Sequence, residues 1–92
     1  MPTRDVVVGS RVGLHARTAV VVVRAAAAAP VPVRISKAGP PVDASSIMAV
    51  LALGAKFGDT VTIEAEGDGA DEALDTMAEL LARDLDAEVA DA

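Results

Sequence analysis

The sequence predicts an α+β domain in which a four-stranded antiparallel sheet carries three helices on one face. Three observations lead there. Residues 31–36 and 59–66 alternate apolar and polar side chains, the pattern of strands with one buried and one wet face. Residues 16–29 and 70–85 instead space their apolar side chains as helices do, over lengths unusual for strands. Turn and stop residues separate the segments in the order strand, helix, strand, strand, helix, strand, helix. Pattern alone leaves other small α+β folds open, the ferredoxin-like split βαβ among them.

Taken in order, Arg4 to Val8 is short, β-branched and followed by Gly9, which reads as a first strand. A loop from Gly9 to Leu14 leads to His15. In Ala16–Ala29, Val20–Val23 favours a strand and Ala25–Ala29 a helix; fourteen residues without a turn signal decide for a helix. Ala16, Ala19, Val20, Val23 and Ala27 would form its apolar face, and Pro30 ends it. Val31, Val33 and Ile35 alternate with Pro32, Arg34 and Ser36 in a second strand, and Lys37-Ala38-Gly39 turns the chain. Pro40-Pro41 confines a short third strand around Val42 to a sheet edge. Asp43 to Ser46 supplies helix-start residues and Gly54 a stop, which makes a short second helix. Asp59 to Glu66 points Val61, Ile63 and Ala65 one way and Thr60, Thr62, Glu64 and Glu66 the other. After the turn Gly67-Asp68-Gly69, a last helix aligns Ala70, Ala73, Leu74, Met77, Leu81 and Leu85, with Asp71 and Glu72 in its first turn. From Asp84 the tail is acidic and is expected to fray.

Composition narrows the function. Ninety-two residues make one domain, spanning 1–92, with a modest core. Phe57 is the sole aromatic in a chain that is 52% hydrophobic, so Val, Leu, Ile and Ala must build that core in numbers. A net charge of −6 argues against nucleic acid as a partner. With no cysteine and one histidine, only scattered carboxylates remain as ligands, and no metal site is expected. Asp71 and Glu72 are better read as first-turn helix charges than as an acid–base pair. Nothing resembles a nucleotide-binding loop, and no cofactor is expected. Met1-Pro2-Thr3-Arg4 is not followed by a signal-peptide core, and the apolar run Ala19–Ala29, broken by Arg24, is shorter than the ~20 residues of a membrane span. A soluble, cytoplasmic protein without a membrane partner is the expectation.

The chemistry gathers at Gly13-Leu14-His15-Ala16-Arg17. Neutral imidazole is a good nucleophile near neutral pH without a neighbouring base, since its unperturbed pKa is about 6.5. A phosphoryl group carried on it is an anion, and a helix N-terminus offers unpaired N–H groups and a positive dipole end to hold one. Arg17 adds a permanently charged fork suited to phosphate oxygens. Without an anion it would be a solvated cation on the wrong end of the dipole. Gly13 is expected to let the backbone come close to the helix start.

Gly13-Leu14-His15-Ala16-Arg17 resembles the active-site signature of the histidine phosphocarrier (HPr) family of the bacterial sugar phosphotransferase system. Ser46-Ile47-Met48-Ala49-Val50-Leu51-Ala52-Leu53-Gly54 resembles that family's serine segment, and the order and spacing agree over nearly the whole chain. The resemblance implies an open-faced β-sandwich and a phosphoryl carrier rather than an enzyme that turns over alone. On that reading His15 takes a phosphoryl group from enzyme I, charged by phosphoenolpyruvate, and hands it to IIA domains of sugar permeases, with Arg17 as the phosphoryl neighbour. The chain is expected to act as a monomer.

Two departures stand out. Family members usually have proline where this chain has Thr18; threonine restores an N–H donor at the cost of rigidity. Ser46 matches a serine that a dedicated kinase phosphorylates in some members, although as a plain helix N-cap it would need no further role. Members regulated there usually carry Lys, Arg or Asn just before it, whereas Ser45 stands here. A serine kinase or phosphatase and a transcriptional regulator are therefore further candidate partners. The second helix has more apolar surface than one core-facing stripe buries, and Ile47, Met48 and Leu51 form a compact patch suited to docking, which Phe57 would extend. Met suits a surface that meets several partners. The alternative is a regulatory interaction protein of the same fold that signals through its phosphorylation state; retention of both His15 and Arg17 favours the carrier.

Overall fold

The computed structural model describes residues 2–83. Its elements are β1 (Thr3–Val7), α1 (Ala16–Ala28), β2 (Val33–Ser36), β3 (Val42–Asp43), α2 (Ile47–Ala52), β4 (Thr60–Ala65) and α3 (Ala70–Ala82). The strands form one antiparallel sheet in the order β1-β4-β2-β3. Val6 faces Val61 and Ile35 faces Ile63 across the ladders. These four, with Val33 and Ala65, are buried beneath the helices, whereas Thr3, Asp5, Val7 and Thr60 are exposed. Period-2 alternation in β1, β2 and β4 thus becomes a sheet with one covered and one open face, the α+β open-faced sandwich. On the open face the Thr62 hydroxyl donates to Asp5 at 2.8 Å and Arg34 lies 3.8 Å from Glu64.

Local chemistry sets the element ends. The second strand was expected from Val31, but its ladder starts at Val33, because Pro32 has no N–H to contribute. β3 is two residues long, pairs only with β2 and lies at the sheet edge, as Pro40-Pro41 requires. Gly54, at φ +62°, follows α2 and donates its N–H to the Leu51 carbonyl.

Two helix faces differ from the sequence reading. In α1 the buried residues are Thr18, Ala19, Val22 and Ala26, while Ala16, Val20 and Ala27 are exposed. Arg17 and Arg24, seven residues apart, mark one exposed side of α1 and the buried residues lie opposite them; the expected face, read from the valines and alanines, was rotated toward Ala16, Val20 and Ala27. In α3 the expected stripe of Ala70, Ala73, Leu74, Met77 and Leu81 is buried, and Leu80 widens it. Leu85 and the acidic tail lie outside the described residues.

Candidate functional site

The loop before α1 is held from both sides. Leu14 is buried, and its N–H donates to the Ala55 carbonyl at 2.9 Å. Gly13 has φ +73°, and a Cβ there would come within 2.6 Å of that carbonyl. Glycine is therefore demanded by the positive φ and by the backbone of Ala55 and Lys56, a close approach between backbones at the loop that leads into the helix.

His15 is exposed and occupies the N-cap of α1 with extended backbone (φ −104°, ψ −174°). The first helical bond runs from the Ala19 N–H to the His15 carbonyl at 2.7 Å. The N–H groups of Ala16 and Arg17 precede it, donors that a helix start turns outward, while the Thr18 N–H faces the His15 side chain, and no acidic residue sits in this first turn to compete for them. Arg17, beside His15, is exposed.

Thr18 is where the sequence reading falls short. Its side chain is completely buried, and its hydroxyl donates to the Gly13 carbonyl at 2.7 Å while accepting the His15 N–H at 3.1 Å. This is the half of a capping box that the third helical residue supplies. The three-residue spacing from His15 was the signal that could have found it.

At α2, Ser46 is the N-cap, and its hydroxyl accepts the Ala49 N–H at 3.3 Å. The Asp43 carboxylate shapes the approach by accepting the Ser45 hydroxyl at 2.6 Å and the Ser45 N–H at 2.9 Å. These two bonds, the side-chain one foremost, hold Asp43 below the usual carboxylate range. The predicted apolar patch is divided: Met48 is 74% exposed, whereas Ile47 and Leu51 are half-buried and pack against the core. Phe57 is 60% exposed on a turn braced by Asp59, whose carboxylate accepts the Lys56 N–H at 2.8 Å and pairs with Lys37 at 2.9 Å. The Lys56 N–H first, and Lys37 after it, keep Asp59 below its ordinary pKa. Val12, at 52% exposed in the loop before His15, is an apolar surface residue the pattern did not flag.

The bond from Leu14 to Ala55 ties the His15 loop to the turn that displays Phe57, and α1 packs beside α2. A surface cavity lies elsewhere, at the far end of α1 between Ala26, Pro32, Pro41 and Asp43. Among the described residues no group of three or more His, Asp or Glu is placed to hold a metal, and no helix is long and apolar enough to cross a membrane.

Residues 2–83 match the family model described as the PTS HPr component phosphorylation site. The chain belongs to the HPr family. Phosphocarrier protein HPr of Streptomyces coelicolor is 48% identical over 87 residues, covering 94% of each chain. A crystal structure of phosphocarrier protein HPr from Bacillus anthracis superposes with a TM-score of 0.83 at 35% identity, covering 87% of this chain and 95% of that one. An HPr dimer from Thermoanaerobacter tengcongensis is also similar, with a TM-score of 0.67 at 32% identity and 84% coverage of each chain. As an HPr-family member the protein is a phosphocarrier of the phosphotransferase system rather than an enzyme.

Proposed function

We propose that His15 accepts a phosphoryl group from phosphoenolpyruvate-charged enzyme I and passes it to IIA domains of sugar permeases. The observation that carries this reading is an exposed imidazole on the N-cap of a helix whose first turn holds no carboxylate. Attack comes from an unprotonated ring nitrogen, and the product's phosphoryl oxygens lie near the N–H groups of the first turn. Arg17 supplies the only side-chain cation within the first turn of α1 and steadies the anion in the carried state. Met48 and Phe57 are the most exposed apolar contacts for both partners, and the half-buried Ile47 and Leu51 complete the patch. Ser46, if modified, acts as a switch at the edge of this surface. The chain works in the cytoplasm as a single HPr-like domain and as a monomer.

Incubation with enzyme I and labelled phosphoenolpyruvate tests the reading. Wild-type protein is expected to take up acid-labile label, and His15→Ala none, with an unchanged circular dichroism spectrum because the side chain is exposed. Labelling of His15→Ala at the wild-type level would refute it. Arg17→Ala is expected to slow transfer without abolishing it, since the helix N–H groups remain.

A further inference from the structure

We propose that the Thr18 hydroxyl is a positioning group for phosphoryl transfer through His15, a proposal that rests on the carrier reading above. The His15 side chain is exposed, so its aim depends on the backbone that carries it. On one side that backbone is anchored by the Leu14 N–H on the Ala55 carbonyl. On the other the anchor is Thr18: a side chain with 0% exposure whose hydroxyl spends its one proton on the Gly13 carbonyl and a lone pair on the His15 N–H. A buried hydroxyl is retained where its bonds are made, and here both go to the two residues flanking Leu14. The hydroxyl also belongs to the first turn of α1. It therefore links the residue that carries the nucleophile to the turn whose N–H groups face the anion.

The step that needs this alignment is simple to balance. The lone pair of the unprotonated His15 nitrogen forms an N–P bond as the bond between phosphorus and the donor's leaving atom breaks, and that atom keeps the bonding pair. The proton on the other ring nitrogen stays where it is. Transfer of this kind depends on the reacting atoms lying in line at about 3–3.5 Å, and small misplacements are costly. Loss of the hydroxyl would release the His15 backbone without touching the imidazole, its charge or the docking surface.

The test compares Thr18→Val with Thr18→Ser in transfer from phosphorylated enzyme I, at a temperature where circular dichroism shows each variant folded. Thr18→Val is expected to lower kcat about tenfold with KM within roughly twofold of wild type, and Thr18→Ser to restore kcat to within about twofold. A folded Thr18→Val with wild-type kcat overturns the proposal, as does a loss in which Thr18→Ser fares no better than Thr18→Val. Should Thr18→Val fail to fold, amide hydrogen exchange of wild-type protein decides: the His15 N–H is expected to be protected, and exchange at the rate of an open amide overturns the proposal. Failure of the carrier reading looks different, since wild-type protein would then take no label at all.

Discussion

Substitution of Gly13 by alanine isolates the packing that holds the His15 loop. The backbone there has φ +73°, which costs a residue with a Cβ about 1–2 kcal/mol. The new methyl would also stand 2.6 Å from the Ala55 oxygen, a backbone atom that accepts the Leu14 N–H and cannot swing away. Relief of that contact must stretch or break the bond, worth about 0.5–1.5 kcal/mol. Alanine recovers about 0.4–1 kcal/mol by restricting the unfolded chain. The net expectation is a loss of about 2 kcal/mol, which for a chain of this size lowers Tm by roughly 10 °C. Gly54→Ala is the control, because Gly54 has φ +62° but nothing within 4 Å of the added Cβ. It carries the conformational cost alone and should lose under about 1 kcal/mol. Urea denaturation of both variants and wild type measures the difference. Equal losses at the two glycines would refute the claim that the Ala55 carbonyl is what demands glycine at position 13.

Other expectations test the docking surface and the turns. Met48→Asp should weaken enzyme I binding by roughly 1–3 kcal/mol and change stability by less than about 0.5 kcal/mol, because the side chain is mostly exposed; paired titration and denaturation check it, and a large stability loss with unchanged affinity would put Met48 in the core. Ser46→Asp keeps an N-cap and adds negative charge at the start of α2, so it should weaken enzyme I docking at moderate salt without unfolding the protein; affinity equal to wild type counts against the switch. Asp59 has a folded pKa below its unfolded value, so its contribution is present at neutral pH and is lost as acidification passes through the lowered folded pKa. Asp59→Asn should flatten the acid limb of the stability curve below about pH 4, and an unchanged limb would show that Lys56 and Lys37 do not hold the carboxylate.

The residues matching the HPr signature were legible because chemistry constrains them locally: a lone histidine before a helix, an arginine two residues on, a serine at the next helix start. Strands β2 and β4 were equally plain, since a sheet with one wet face writes its alternation into the side chains. The rotation of α1 was misread, because valines and alanines dominate its pattern while its phase is marked by Arg17 and Arg24, exposed and seven residues apart. The division of the apolar patch on α2, in which Ile47 and Leu51 sink toward the core and Met48 stays out, was not legible.

What the amino-acid order determined by itself, then, was the succession of elements, the sheet's buried face and the placing of His15 at a helix start, all consequences of interactions within a few residues along the chain. The tertiary structure decided the rest. Gly13 is needed because Ala55, forty-two positions away, brings its carbonyl against the loop. Thr18, which reads as a loss of rigidity in one dimension, ties Gly13 to His15 once the helix turns its hydroxyl inward. Contacts of this kind depend on which surfaces meet, and local periodicity does not encode that meeting.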